Sequence, residues 1–203
     1  MPTPTFFRLP GEKRERLICA AWREFSSVRF SEASIARILR DAQIPRGSFY
    51  QYFADKDDLF THLLDILYDA CLVLAADALR KARGNLFDAV PLVFDRLFDG
   101  EMQQTVAQGM ELLRRNDTMD MSKILLARAK HYPRLGELLS QSDAGMLLRD
   151  DEAFFRDVAT LLIVNLMLAM REMLCGGTYE TERAALCSRV EIVRRGSTKE
   201  GLS

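Results

Sequence analysis

Apolar residues recur at helical spacing along almost the whole chain, and no stretch alternates apolar and polar positions as a half-buried strand would. Leu17, Ile18, Ala21, Trp22 and Phe25 form one stripe of a helix from about Glu12 to Ser27. A second helix starts at Ser34, whose hydroxyl suits an N-cap, and turns Ile35, Ile38 and Leu39 inward. Ile44-Pro45 closes it, because a residue before proline disfavours helical angles. A third helix covers about Arg46 to Phe53, with Phe49 and Phe53 four apart on its buried face. Asp55 caps a long fourth helix from near Lys56 to about Ala82, striped by Leu59, Leu63, Ile66, Leu67, Ala70 and Leu74.

Arg83-Gly84-Asn85 breaks that pattern. Leu86 to Phe98 follows as a helix bent or shifted at Pro91, then Glu101 to Arg115 after Gly100. Thr118 to Ser140 reads as helical apart from a break at His131-Tyr132-Pro133. Two long helices close the body, Asp150 to Leu174 and Glu180 to Arg194, separated by Gly176-Gly177. The tail, 196–203, is expected to be disordered. The pattern predicts an all-α fold with a three-helix helix-turn-helix domain over 1–56 and a helical body over 57–195.

Composition adds one fact to that pattern. The net charge is −1, but residues 1–56 hold ten Lys/Arg against six Asp/Glu, and the remainder holds eighteen against twenty-three. A basic front on an acidic body fits a partner with phosphates at one end, although solvated helix faces produce such imbalances too. Cys19, Cys71, Cys175 and Cys187 are widely spaced, with no CxxC pair or nearby histidine cluster, so no metal and no cofactor is expected. Residues 1–11 lack the apolar core of a secretory signal, and the run Val158 to Met170 is shorter than the roughly 18–20 residues a bilayer needs. The expectation is a soluble, cytoplasmic protein with no membrane partner. His62 and His131 are isolated and the glycine-rich phosphate loops are absent, so no catalytic residue is assigned.

The segment 34–56 carries the chemistry. Ser48 and Gln51 lie three apart, and short polar side chains at that spacing suit base edges; glutamine can bond adenine bidentately. Arg46 could read guanine or hold a phosphate, and Gly47 removes a side chain where a helix start must approach DNA closely. Tyr50 and Tyr52 can reach phosphates with their hydroxyls or serve as half-buried packing residues. Lys56 stands where the next helix begins.

Together these residues resemble the DNA-binding domain of the TetR family of bacterial transcriptional regulators, from about Leu17 to Leu64. The resemblance rests on Ala20-Ala21, Phe25, Ser34, Ile35, Ile38, Ala42, the run Gly47-Ser48-Phe49-Tyr50-Gln51-Tyr52-Phe53, Asp55-Lys56 and Leu59. It implies that Tyr50, Tyr52 and Lys56 contact the DNA backbone, that Ser48 and Gln51 face bases, and that the Ser34 cap lies near a phosphate. Two positions depart from the pattern. Gln43 replaces the turn glycine, and Arg29 replaces the glycine that usually ends helix one. A left-handed residue other than glycine costs roughly 1 kcal/mol.

The resemblance further implies a homodimer on inverted-repeat double-stranded DNA and a body, 57–195, that binds an effector and dimerises. Phe154, Val158, Leu161, Leu162, Asn165, Ala169 and Met173 form a wide apolar stripe for the interface, joined by Leu186, Val190 and Val193. Asn165 could fix the register or bond within its own chain. A cavity for a small apolar or amphipathic effector is expected among Phe87, Phe94, Phe98, Met102, Met110, Tyr132, Met146 and Phe155, residues that would equally serve as core. The leading expectation is a ligand-responsive repressor. The alternatives are a DNA-binding protein controlled by a protein partner, and a helical small-molecule-binding protein or enzyme without DNA binding.

Overall fold

The computed structural model describes residues 2–98, 104–116 and 133–199. The chain is all-α, and among the described residues the one extended pairing is an isolated bridge between Leu147 and Thr198. In chain order the helices are α1 (Pro4–Phe7), α2 (Gly11–Ser27), α3 (Ile35–Asp41), α4 (Lys56–Lys81), α5 (Leu86–Phe98), α6 (Gln104–Arg115), α7 (Pro133–Leu139), α8 (Glu152–Leu174) and α9 (Tyr179–Ser197). Two short 3-10 helices, Phe30–Glu32 and Arg46–Gln51, flank α3.

The helices divide into two compact units. The first holds the chain up to Ala70 together with α6, so it is larger than the expected 1–56. Its core is aromatic: Phe25 and Phe60 meet edge-on at 5.1 Å between ring centroids, and Phe30 meets Phe60 at 4.9 Å. α6 belongs here because its partners are here. The Ser26 hydroxyl donates to Gln108 O, and the buried Asn116 side chain accepts from the Phe30 backbone N–H at 2.8 Å while donating to Leu112 O. α6 also approaches α4 closely: a Cβ at Gly109 would lie 2.3 Å from Leu67 Cδ1.

The second unit comprises the remainder of α4 with α5, α7, α8 and α9. Phe87, Phe94, Val158, Leu162, Leu186 and Val190 are its buried centre. Asp95 on α5 clamps α9, accepting from Arg183 Nε at 2.6 Å, Arg183 Nη2 at 2.9 Å and the Tyr179 hydroxyl at 2.8 Å. The hydrogen bond to Asp95 is the main reason the Tyr179 phenol titrates above its usual range. α5 runs through Pro91 without ending.

Most helix boundaries fall within two residues of expectation, but the tail does not behave as expected. α9 continues to Ser197, and Ser197 and Thr198 are buried. Leu148 N–H donates to Ser197 O at 2.9 Å and Lys199 N–H to Met146 O at 3.1 Å, so 196–199 is ordered by backbone pairing. Residues 200–203, the start of the expected Glu101 helix and most of the expected Thr118–Ser140 helix lie outside the described residues.

Gly109→Ala tests the α4–α6 contact. The added methyl overlaps a Leu67 side chain that is 2% exposed, and overpacking of this kind costs about 1–3 kcal/mol. Urea unfolding should show a lowered midpoint with an unchanged slope.

Candidate nucleic-acid interface

The turn after α3 is a Schellman motif. Ile44 N–H donates to Leu39 O at 2.9 Å, Gln43 N–H donates to Arg40 O at 3.1 Å, and Ile44 and Leu39 are both buried. Gln43 takes the left-handed position with φ 56°. Arg29 does not: its φ is −64°, because α2 ends on an extended Val28, so the missing glycine there causes no strain.

The recognition segment is shorter and tighter than expected, a 3-10 helix over Arg46–Gln51. Three residues per turn change which side chains share a face. Phe49 and Tyr52 fall on one edge and are 0% and 4% exposed. Tyr52 is therefore a core residue and not the expected backbone-contacting tyrosine. Ser48 and Gln51 share the next edge, half-buried and exposed respectively. Arg46 and Gly47 are exposed, and Tyr50 stands out with 68% of its surface open. A Cβ at Gly47 would meet nothing within 4 Å, so packing inside the chain does not demand glycine there.

Ser34 caps α3 as expected, its hydroxyl accepting from Arg37 N–H at 3.4 Å. Its own N–H donates to Glu24 Oε1 at 2.7 Å, and the same carboxylate receives the Arg37 guanidinium through Nε at 2.9 Å and Nη2 at 2.5 Å. Burial pushes the Glu24 carboxyl up, but the Arg37 and Ser34 hydrogen bonds outweigh it and hold the group below the usual range.

Lys56 corrects the sequence expectation most sharply. Its Nζ donates to Phe30 O at 2.7 Å, Ala33 O at 3.2 Å and Ser31 O at 3.4 Å, and sits 4.5 Å from the Phe30 ring centroid. The ammonium is directed at backbone carbonyls between α2 and α3, so it ties α4 to the helix-turn-helix rather than reaching for phosphate. Asp55 accepts from Asp58 N–H at 2.7 Å and caps α4 as expected.

In the second unit Phe87 and Phe94 are buried, and Phe98, Met146 and Phe155 pack against the core cluster that holds them. Phe155 also lines an open groove of about 250 Å³ beside Arg149, Asp150, Asp151 and Glu152, a polar rim unlike the apolar cavity expected. Met110 is buried in the other unit, and Met102 and Tyr132 lie outside the described residues.

The expected interface stripe also needs correction. Val158, Leu162, Ala169, Leu186 and Val190 are buried in the chain's own core, with Phe154, Met173 and Val193 packed against them. Asn165 Nδ2 donates to Leu161 O at 2.8 Å, within its own helix. Leu161 remains exposed, joined by Val164 and Leu168 on α8 and Ile192 on α9, none of the last three anticipated. The signal was present: a helix apolar all round needs cover on both faces. α8 is long and apolar enough to cross a membrane by length and composition, as is α4, and only 22% of its apolar window is buried inside the chain.

Two variants test this geometry. Lys56→Ala should lower unfolding stability by about 1.5–3 kcal/mol, the range for hydrogen bonds to a charged group, measured by urea titration. His62 packs on Phe6 and Phe53, and burial holds its pKa below the ordinary histidine value of 6.5, against the opposing pull of Asp65 and Asp58. A depressed histidine pKa means that the unfolded chain takes up the proton first. The His62 contribution is therefore complete above pH 6.5 and is lost as pH falls through the folded value. Urea unfolding of wild type and His62→Phe across that window should show a smaller acid loss in the variant.

A family model described as bacterial regulatory proteins, tetR family, matches residues 17–63. The HTH-type transcriptional regulator HbdR of Aromatoleum sp. (strain CIB) is 41% identical over 61 residues, 30% of this chain and 27% of that protein. The match therefore spans about a quarter of that relative's length. The HTH-type transcriptional regulator YdgC of Bacillus subtilis (strain 168) is 26% identical over 178 residues, covering 77% of this chain and 91% of that one. The fold is shared with a TetR-family transcriptional regulator from Streptomyces coelicolor, at TM-score 0.57 and 24% identity over 95% of this chain and 93% of that one. It is also shared with one from Pseudomonas syringae pv. tomato, at TM-score 0.56 and 18% identity over 94% and 100%. Residues 17–63, which hold the helix-turn-helix and its Ser48–Gln51 edge, are thus similar to the bacterial regulatory proteins of the tetR family, and the chain as a whole shares the fold of the solved TetR-family structures.

Proposed function

We propose that this regulator binds inverted-repeat double-stranded DNA as a homodimer in the cytoplasm and acts as a ligand-responsive repressor, not an enzyme. The observation that carries the reading is the outward edge of the recognition segment. Ser48 and Gln51 are aligned on one side of a 3-10 helix, with Arg46, Gly47 and Tyr50 exposed around them. Ser48 and Gln51 would meet base edges, Tyr50 and Arg46 would hold phosphates, and Gly47 would leave room for close approach. Tyr52 and Lys56 would act from behind, by fixing the segment.

The exposed apolar residues Leu161, Val164, Leu168 and Ile192 support the dimer, because a second copy would bury a face that its own chain leaves in water. A two-fold axis would put the recognition segments in major grooves roughly 34–36 Å apart, which calls for an inverted repeat. Control would come from a small apolar or amphipathic effector in the body. Helix α4 contributes residues to both units and is the element that would carry the signal. A protein partner acting on the same body remains the second way to bias that helix.

The test is enrichment of duplexes from a randomised library by wild type and by Gln51→Ala. Wild type should enrich an inverted repeat; Gln51→Ala should relax preference at one position in each half-site, by about 1–3 kcal/mol of discrimination. An unchanged preference would remove Gln51 from the reading surface. For the dimer, Leu161→Glu with Ile192→Glu should shift sedimentation to the monomer without loss of helical signal; a persistent dimer would place the interface elsewhere.

A further inference from the structure

Helix α1 and Thr3 before it lie outside the stretch matched by the family model, and the sequence pattern assigned them no role. Their contacts converge on the recognition segment. Thr3 N–H donates to Tyr52 O at 2.9 Å, and the Thr3 hydroxyl donates to Gln51 O at 2.5 Å. Phe6 is 1% exposed, with its ring centroid 4.9 Å from that of Phe53 and 5.2 Å from that of His62. Arg14 Nη1 donates to Phe7 O at 3.2 Å, which ties α1 to α2.

A 3-10 helix of six residues has poor internal geometry and leaves its last carbonyls without partners. Those of Gln51 and Tyr52 are the ones Thr3 occupies. Gln51 is thus gripped by its backbone while its side chain faces outward. A bidentate contact to a base edge tolerates little displacement, so holding that backbone before DNA arrives lowers the ordering cost of binding.

We propose that Thr3 and Phe6 are positioning residues for DNA reading: together they clamp the end of the recognition segment and set the direction of Gln51. The inference rests on the Ser48–Gln51 edge being the DNA surface. It assigns to α1 a function through the protein, without contact to the nucleic acid.

The experiment uses the full chain and the duplex that wild type enriches from a randomised library, with an unrelated duplex of equal length beside it. Binding is followed by fluorescence anisotropy. Thr3→Val removes the hydroxyl donor and should weaken binding to the enriched duplex roughly five- to tenfold, the scale of one hydrogen bond. Binding to the unrelated duplex should not change. Thr3→Ser keeps both donors and should bind as wild type does. Phe6→Ala should also lower the ratio of the two affinities; if it fails to fold, the Thr3 pair decides alone. The inference is overturned if Thr3→Val matches wild type, if Thr3→Ser loses as much as Thr3→Val, or if both duplexes weaken equally. Should wild type enrich no duplex, the DNA reading falls and takes this inference with it. Enrichment followed by indifference to Thr3→Val overturns the clamp alone.

Discussion

The burial of Phe49 and Tyr52 beneath a six-residue 3-10 helix is the constraint on which the rest depends. A segment of that length has no stability of its own, since helix nucleation is costly and the tighter helix bonds less well. Its shape is imposed by what it buries. Three residues per turn put Phe49 and Tyr52 on the same inward edge and leave Ser48 and Gln51 aligned on another. An α-helix over the same residues would have spread these side chains differently. The outward Ser48–Gln51 edge is therefore a consequence of the core.

Around that segment polar groups fix the neighbouring elements. Glu24 binds the start of α3 through the Ser34 N–H and Arg37, and the Schellman turn at Gln43 ends that helix on two buried residues. Lys56 then ties the start of α4 to the carbonyls of Phe30, Ser31 and Ala33. These contacts use charged side chains inside the first unit, while Arg46 and Tyr50 stay exposed beside the Ser48–Gln51 edge. In the second unit Asp95 does comparable work, joining α5 to α9 through Arg183 and Tyr179.

The helices were legible in the sequence because each carries a long apolar stripe and recognisable ends. Ser34, Asp55 and the Gly176-Gly177 break mark boundaries that the structure places within a few residues. The left-handed Gln43 was legible only through the family resemblance, which puts glycine at that turn; the same reasoning at Arg29 did not hold. What could not be read was the choice between two faces. A lysine or tyrosine next to a recognition segment suits phosphate and suits the core equally, and only tertiary contact separates Tyr50, exposed, from Tyr52, buried. α8 shows the same ambiguity. Its apolar residues surround the helix, so the sequence put Val158, Leu162 and Ala169 in the interface beside Leu161, when the fold buries those three and exposes Val164 and Leu168 with Leu161. Thr3 and Phe6 went unread because a short segment before the first long helix has no periodicity to reveal its contacts.

The central claim is that two copies of the recognition segment read one inverted repeat through base edges and phosphates. Anisotropy titration across a range of salt, with the enriched duplex and with a single half-site, tests it most directly. The account predicts that the full repeat binds far more tightly than the half-site, and that log affinity falls linearly with log salt as phosphates shed their counterions. Equal affinity for half-site and full repeat, or binding indifferent to salt, would contradict it.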